Sequence, residues 1–156
     1  MRLDYIDPIV QSAMAVLSEV TGRPVERGAL SLRRSSAPGS GVAAVIGMTG
    51  EVEGRVILEM GRDTALSMAG IMNLESFTEL NGLAMDTLME LANMVVARGV
   101  SALNDKGFAF RLTPPLIFTG SNLSCATGFD LEALIIPLRV STGDMTLNIA
   151  LRMKAL

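Results

Sequence analysis

ELNGLAMDTLMELANMVVARGVSALND, residues 79–105, is the longest helical stretch in the chain. At about 100° per residue, its apolar stripe collects Leu80, Ala84, Leu88, Leu91, Ala92, Val95, Gly99, Ala102 and Leu103. Asp86, Glu90 and Asn93 fall roughly 140–200° from the middle of that stripe by the same rotation. Gly82, Ala97, Val100, Ser101 and Asn104 share their side. A helix facing water ordinarily interleaves long charges of both signs. This outer face has no Lys or Arg along its centre, and most of its side chains are small. A short, smooth face with an acid and an amide one turn apart is shaped to lie against another macromolecule.

The segments around this helix set the fold class. Before it, Arg62 to Met72 keeps helical spacing through Leu66, Ala69 and Met72. Val42 to Met48 and Gly54 to Met60 are strand-like runs joined through Thr49-Gly50-Glu51-Val52-Glu53, a hairpin connection. Ser35 to Gly41 is a Ser/Gly/Pro loop, and Val25 to Leu32 alternates as a strand does. The first segment, Tyr5 to Thr21, is helical through Ile9, Ala13, Val16, Leu17 and Val20. Asp7 followed by Pro8 is the expected N-cap and first helical residue, and Gly22 with Pro24 ends the helix.

After the long helix, Lys106-Gly107 closes it. Phe108 to Thr113 and Leu116 to Thr119 are extended, broken by Pro114-Pro115, and Ser121 to Phe129 is a polar loop. Leu131 to Ser141, the turn Thr142-Gly143-Asp144 and Met145 to Met153 form a closing hairpin. Pro137 cannot donate to a ladder, so it marks an edge or a bulge. Runs of strands set apart from runs of helices imply an α+β fold. The expected architecture is a mainly antiparallel β-sheet with a long helix and two shorter helices packed on it, as one domain over residues 1–156. There is no short-period repeat and no second helical Glu-x-x-Asn.

Composition removes most chemistries. With 49% hydrophobic and 19% charged residues, the chain is globular rather than disordered. A net charge of −3 and 4% aromatic residues, none of them Trp, argue against nucleic acid. No apolar run approaches the ~20 residues of a membrane span, and Asp4 and Asp7 interrupt any signal peptide. The single Cys125 excludes an internal disulfide and fits a reducing compartment, so the expected location is cytoplasmic. There is no histidine, which excludes Ser-His-Asp and Cys-His pairs and histidine metal sites. Cys125, without a base or a second thiol, reads as inert. The Gly41, Gly47 and Gly50 pattern lacks the lysine and following helix of a phosphate loop, so these are turn glycines. Chemistry here must rest on carboxylates, amides and hydroxyls.

Four stretches, taken in order, cover nearly the whole chain and resemble the CheX members of the CheC/CheX/FliY family of chemotaxis phosphatases. They are the Asp7-Pro8-Ile9-Val10 helix ending in Thr21-Gly22; Gly41 to Gly50 followed by Glu51-Val52-Glu53-Gly54; Glu90-Leu91-Ala92-Asn93-Met94 with Asp86 four residues ahead; and Ile136-Pro137-Leu138 with the closing hairpin. The resemblance implies a CheC-like fold and hydrolysis of the aspartyl phosphate on a phosphorylated CheY-type response regulator. Glu90 and Asn93 match the family's catalytic acid and amide, the amide orienting water and the acid engaging the partner's lysine. Asp86 matches the acidic or serine position ahead of them. With Met89, Met94 and Ala97 it is expected to border the partner-binding patch.

The resemblance implies no cofactor in this chain, Mg²⁺ on the response regulator, and a homodimer built by sheet extension, for which the terminal hairpin supplies the expected edge. The family often continues after the asparagine with a Gly-Asn-Ala-like segment. Here Ala97-Arg98-Gly99 stands in its place, with Arg98 at a helical angle near the core stripe.

The chemistry suits these residue types. An acyl phosphate is already activated, so a phosphatase need only align water in line with the scissile bond. A neutral amide accepts from that water through its carbonyl and turns its NH₂ toward phosphate oxygens. A carboxylate in that place would repel the phosphoryl group, whereas one turn away it can pair with a lysine. The competing readings are a non-catalytic CheX-like binding module of a signalling complex and a structural dimerisation module.

Overall fold

The computed structural model describes residues 3–34, 39–123 and 132–153. In chain order it runs α1 (Leu3–Thr21), β1 (Glu26–Arg27), β2 (Ser31–Arg34), β3 (Gly39–Gly50), β4 (Val52–Met60), α2 (Arg62–Asn73), α3 (Gly82–Asp105), β5 (Phe110–Leu112), β6 (Leu116–Leu123), β7 (Glu132–Val140) and β8 (Gly143–Met153). All strand pairings are antiparallel. The sheet order is β1-β7-β8-β4-β3-β5, with β2 also on β7 and β6 also on β3.

Alternation along the central strands explains the layering. Val42, Ala44, Ile46 and Met48 of β3 point to one face, as do Val56, Leu58 and Met60 of β4, Leu134, Ile136 and Leu138 of β7, and Leu147 and Ile149 of β8. They form one core with Ile6, Ile9, Ala13, Val16 and Leu17 of α1, Ala65 and Met68 of α2, and Leu88, Leu91 and Val95 of α3. The opposite face buries a small patch of Ala133, Ile135 and Ala150. Arg55 lies beside it and donates to Asn148 Oδ1 at 2.9 Å. Burial pushes the Glu59 carboxyl on this face upward, an effect that Arg33 and Arg55 partly oppose.

The expected hairpins form. The β3–β4 connection is shorter than read, with Glu51 alone between the strands. Gly50 at φ 140° makes this possible, since a Cβ there would lie 2.2 Å from the Ala109 carbonyl oxygen. The expected strand from Val25 to Leu32 is split into β1 and β2 around Gly28. The cause sits across the ladder. Pro137 accepts from Gly28 N–H at 2.9 Å, so its own missing N–H faces that break.

Pro137 therefore marks an irregularity in its neighbour and not a sheet edge. Strands β7 and β8 are interior, and the edges are β1/β2 and β5/β6. This corrects the expectation that the terminal hairpin supplies the edge.

Two helix starts also differ. Helix α1 contains Pro8 and extends back to Leu3, so Asp7 is not its N-cap. Tyr5 and Ile6 are buried, and Tyr5 makes edge-on contacts with Phe108 and Phe110 at ring separations of 5.0 and 5.5 Å. This packing holds the turn before the proline. Helix α3 begins at Gly82 instead of Glu79, because Asn81 caps it by accepting from Ala84 N–H at 2.9 Å. Cys125 and most of the Ser121–Phe129 loop lie outside the described residues.

The two halves of the sheet repeat each other. β1 and β2 lie on β7 as β5 and β6 lie on β3, with β4 and β8 paired at the centre. Helices α1 and α3 lead the two halves and pack together. Ser12 Oγ donates to the Val95 carbonyl at 2.6 Å, and a Cβ on Gly99 would lie 2.9 Å from Ile9 Cα.

Candidate functional site

Helix α3 presents one side to α1, another to the strands and a third outward. Leu88, Leu91 and Val95 anchor it with no exposed surface. On the outward side Asp86 and Glu90 are exposed and Asn93 is half-buried. Glu90 and Asn93 lie three residues apart, a spacing that separates Cβ atoms by about 5–6 Å on a helix. Among the described residues, no side-chain hydrogen bond or ion pair engages Asp86, Glu90 or Asn93. An acid and an amide left in this condition keep their full hydrogen-bonding capacity for a visitor.

The neighbours are less uniform. Met89 and Ala97 are half-buried, and Met94 packs partly against the core, so Met94 has less surface to offer. Val100, read from its angle as part of the outer face, is 5% exposed. Helix α3 also contacts β3 and β5, and its buried side takes in Val96 and Val100. Asn104 accepts from Phe110 N–H at 3.1 Å and so ties the helix end to β5.

Arg98, expected near the core stripe, is exposed and leans over α1. Its two terminal nitrogens each donate to a Glu19 carboxylate oxygen at 3.0 Å. These hydrogen bonds and the guanidinium charge hold the Glu19 carboxyl below its usual range. The glycine of the Ala97-Arg98-Gly99 segment faces α1 rather than the outer surface, as its contact with Ile9 demonstrates. Leu83, outside the expected patch, is 48% exposed at a helical angle between Glu90 and Met94, and that angle is its signal in the sequence.

A cavity of about 710 Å³ opens elsewhere, at the C-terminal end of α3, lined by Glu51, Asn104, Phe108 and Arg111 among others. Glu51 accepts there from Ala109 N–H at 3.2 Å and from the Tyr5 hydroxyl at 3.5 Å. Asn104 is eleven residues beyond Asn93, about 16 Å along the helix. A site that receives a protein surface needs a convex or flat face, so the helix face is the better candidate. Among the described residues no group of three or more His, Cys, Asp or Glu side chains could hold a metal, and no helix is long and apolar enough to cross a membrane.

Among the described residues, an eight-stranded antiparallel sheet covered by three helices, with an acid and an amide on the outer side of the longest, defines an α+β protein of the CheC-like class. The architecture matches a CheC-like superfamily protein from Shewanella sp. PV-4, with a TM-score of 0.87, 25% identity and coverage of 97% of this chain and 99% of that one. It also matches CheX in the CheX–CheY–BeF₃–Mg²⁺ complex from Borrelia burgdorferi, with a TM-score of 0.83, 32% identity and coverage of 97% and 99%. The CheY-P phosphatase CheX of Thermotoga maritima is 26% identical over 124 residues, covering 79% of this chain and 80% of the relative. The family model of the chemotaxis phosphatase CheX matches residues 42–139. The chain belongs to the CheX family.

Proposed function

We infer that this chain hydrolyses the aspartyl phosphate of a phosphorylated CheY-type response regulator, with Asn93 and Glu90 of α3 as the working pair. Membership of the CheX family carries the reaction class. The support for the residues is their condition on α3: close together, turned outward, and unengaged within the described chain.

The regulator supplies the activated phosphoryl group and the Mg²⁺ ion. Asn93 accepts a hydrogen bond from the attacking water through its amide oxygen and holds the water in line with the scissile P–O bond. Its NH₂ faces the phosphoryl oxygens. Glu90, one turn earlier, pairs with a cation on the regulator and fixes the docking register. Asp86, Met89, Met94 and Ala97 border the contact. Alignment supplies the rate, because a bound water in near-attack geometry needs little further entropy loss. The domain is taken as residues 1–156.

The test is phosphate release from a phosphorylated CheY-type regulator. Asn93→Ala is expected to lower turnover about 100-fold or more, the scale of losing one positioned transition-state contact. Its stability should move by no more than about 0.5 kcal/mol, as for other surface changes. Equal turnover in the variant would remove Asn93 from the mechanism, and binding without release would leave a non-catalytic module. Glu90→Lys is expected to weaken association by setting two cations together, and unchanged affinity would count against the pairing.

The same reading includes a two-fold dimer by sheet extension. The edge strand β6, Leu116–Leu123, carries no charge, and Leu116 and Phe118 are 61% and 50% exposed. An uncharged apolar edge of this kind favours pairing with a second copy.

A further inference from the structure

Among the described residues, Leu74 is the one residue other than glycine with positive φ, at φ 56° and ψ 39°. It stands just past α2, where helices commonly end on glycine because a Cβ is disfavoured in the left-handed region. Its side chain is 92% exposed. The fold thus carries a strained backbone without burying the leucine in return.

The turn is firmly built. Leu74 N–H and Glu75 N–H both donate to the Gly70 carbonyl, the latter at 3.2 Å. A Cβ on Gly70 would lie 2.8 Å from the Glu75 carbonyl oxygen, so that position must stay bare for the chain to wrap. Asn73 donates to the Ala69 carbonyl at 2.9 Å and to Thr87 Oγ1 at 2.7 Å. Thr87 in turn donates to the Leu83 carbonyl at 2.8 Å. This chain of bonds fixes the end of α2 against α3, one turn before Glu90.

The end of α2 that carries Leu74 is therefore fixed against Thr87, one turn after Leu83 on α3. Leu83 precedes Asp86 by three residues and Glu90 by seven, so the three share a face. The packing of α1 supplies an internal reference. A shift of 79 residues carries Asp7 onto Asp86 and Asp4 onto Leu83. The exposed leucine occurs on the helix that has the Glu-Asn pair, and a charge stands in its place on the other.

We propose that Leu74 and Leu83 are the apolar anchors with which this chain grips the response regulator, on a surface continuous with Glu90 and Asn93. This rests on the phosphatase reading above and adds a binding element to it. The occupant is the regulator itself, presenting an apolar patch next to its phosphorylated carboxylate and lysine. The polar pair orients, since solvent-exposed charges contribute little net affinity; burying leucine supplies the affinity, as anchors do at protein interfaces.

The experiment uses the full chain and a CheY-type regulator phosphorylated with acetyl phosphate. Leu74→Gly keeps the left-handed backbone at ease, so its Tm should hold or rise. KM should increase roughly tenfold with kcat within about twofold, in line with the usual worth of burying one leucine. Leu74→Asn, also tolerant of this backbone, and Leu83→Ser should raise KM similarly, while Leu30→Ser, at an exposed leucine between β1 and β2, should not. If wild type turns over with Asn93 dependence while the Leu74 and Leu83 variants keep its KM, the anchors are overturned and the phosphatase reading stands. A wild-type chain that neither binds nor dephosphorylates the regulator removes both.

Discussion

Helices α1 and α3 are two answers to one structural problem. Overlaid with the same 79-residue shift, Tyr5, Ile9, Ser12, Ala13, Val16 and Leu17 fall on Ala84, Leu88, Leu91, Ala92, Val95 and Val96, and all twelve are buried. Asp7 and Gln11 fall on Asp86 and Glu90, all exposed, and half-buried Met14 falls on half-buried Asn93. The two helices therefore share a docking geometry and a burial pattern. They differ in what the outer face can do. Gln11 has no charge to offer a lysine, and Met14 has a weakly accepting thioether where α3 has an amide. The scaffold provides a place for a site, and a few outward side chains decide whether one exists.

The largest expected effect breaks the packing between the two helices. Gly99→Val would put side-chain atoms into the backbone of Ile9, where even a Cβ lies at 2.9 Å, and should cost about 3 kcal/mol, the upper range for overpacking a core. The position matched on α1 is Val20, which is half-buried, so Val20→Ala should cost under about 1.5 kcal/mol by loss of part of one side chain. Urea denaturation of both variants checks the asymmetry, and equal losses would mean that the helices do not approach as closely at Gly99 as described.

Next comes exchange of the outer faces. Asn93→Met, which gives α3 the α1 residue, should reduce regulator dephosphorylation about 100-fold, or about 2.7 kcal/mol in the barrier, without a large stability change. The reverse graft, Gln11→Glu with Met14→Asn, should add less than a tenth of wild-type turnover when introduced with Asn93→Met, because α1 has Asp4 where α3 has Leu83. Full recovery of turnover would show that the pair suffices without its surroundings.

The legible parts of this molecule were those set by local pattern. The hairpins β3–β4 and β7–β8 and the core stripe of α3 follow from alternation and helical spacing, which survive folding unchanged. The misread parts depend on neighbours distant in sequence. Asp7 looked like a cap until Phe108 and Phe110 closed on Tyr5 and extended α1 beyond Pro8. Val100 faced outward on the wheel, yet in the fold it joins the core. Pro137 signalled irregularity correctly, but the irregularity fell on β1 and β2 across the ladder. The halves share topology with little common sequence, so the repeat was invisible to residue matching. At the candidate site, the outward placement of Glu90 and the partial exposure of Asn93 were readable from helical spacing. Leu74 was not, because its left-handed backbone comes from the Gly70–Glu75 turn and has no periodic signature.

The smallest expected effect lies where the two helices meet. Glu19 and Arg98 occupy matched positions under the same shift, and their side chains pair between the two helices, both well exposed. Surface pairs of this kind are screened and weak. The sign of their pH dependence is nonetheless defined. Arg98 lowers the Glu19 carboxyl from 4.5 in the folded state, so the contribution is present above that value and fades as pH falls through the lower folded one. Glu59 behaves oppositely: burial raises its carboxyl, and the stability linked to its neutral form is lost as pH rises through the raised value. Arg98→Ala should therefore flatten only the acid limb of a Tm–pH profile measured between about pH 3 and 7, and only at low salt, whereas Glu59→Gln should raise Tm mainly toward neutral pH. An Arg98→Ala profile parallel to wild type throughout would mean that the ion pair does not persist in solution.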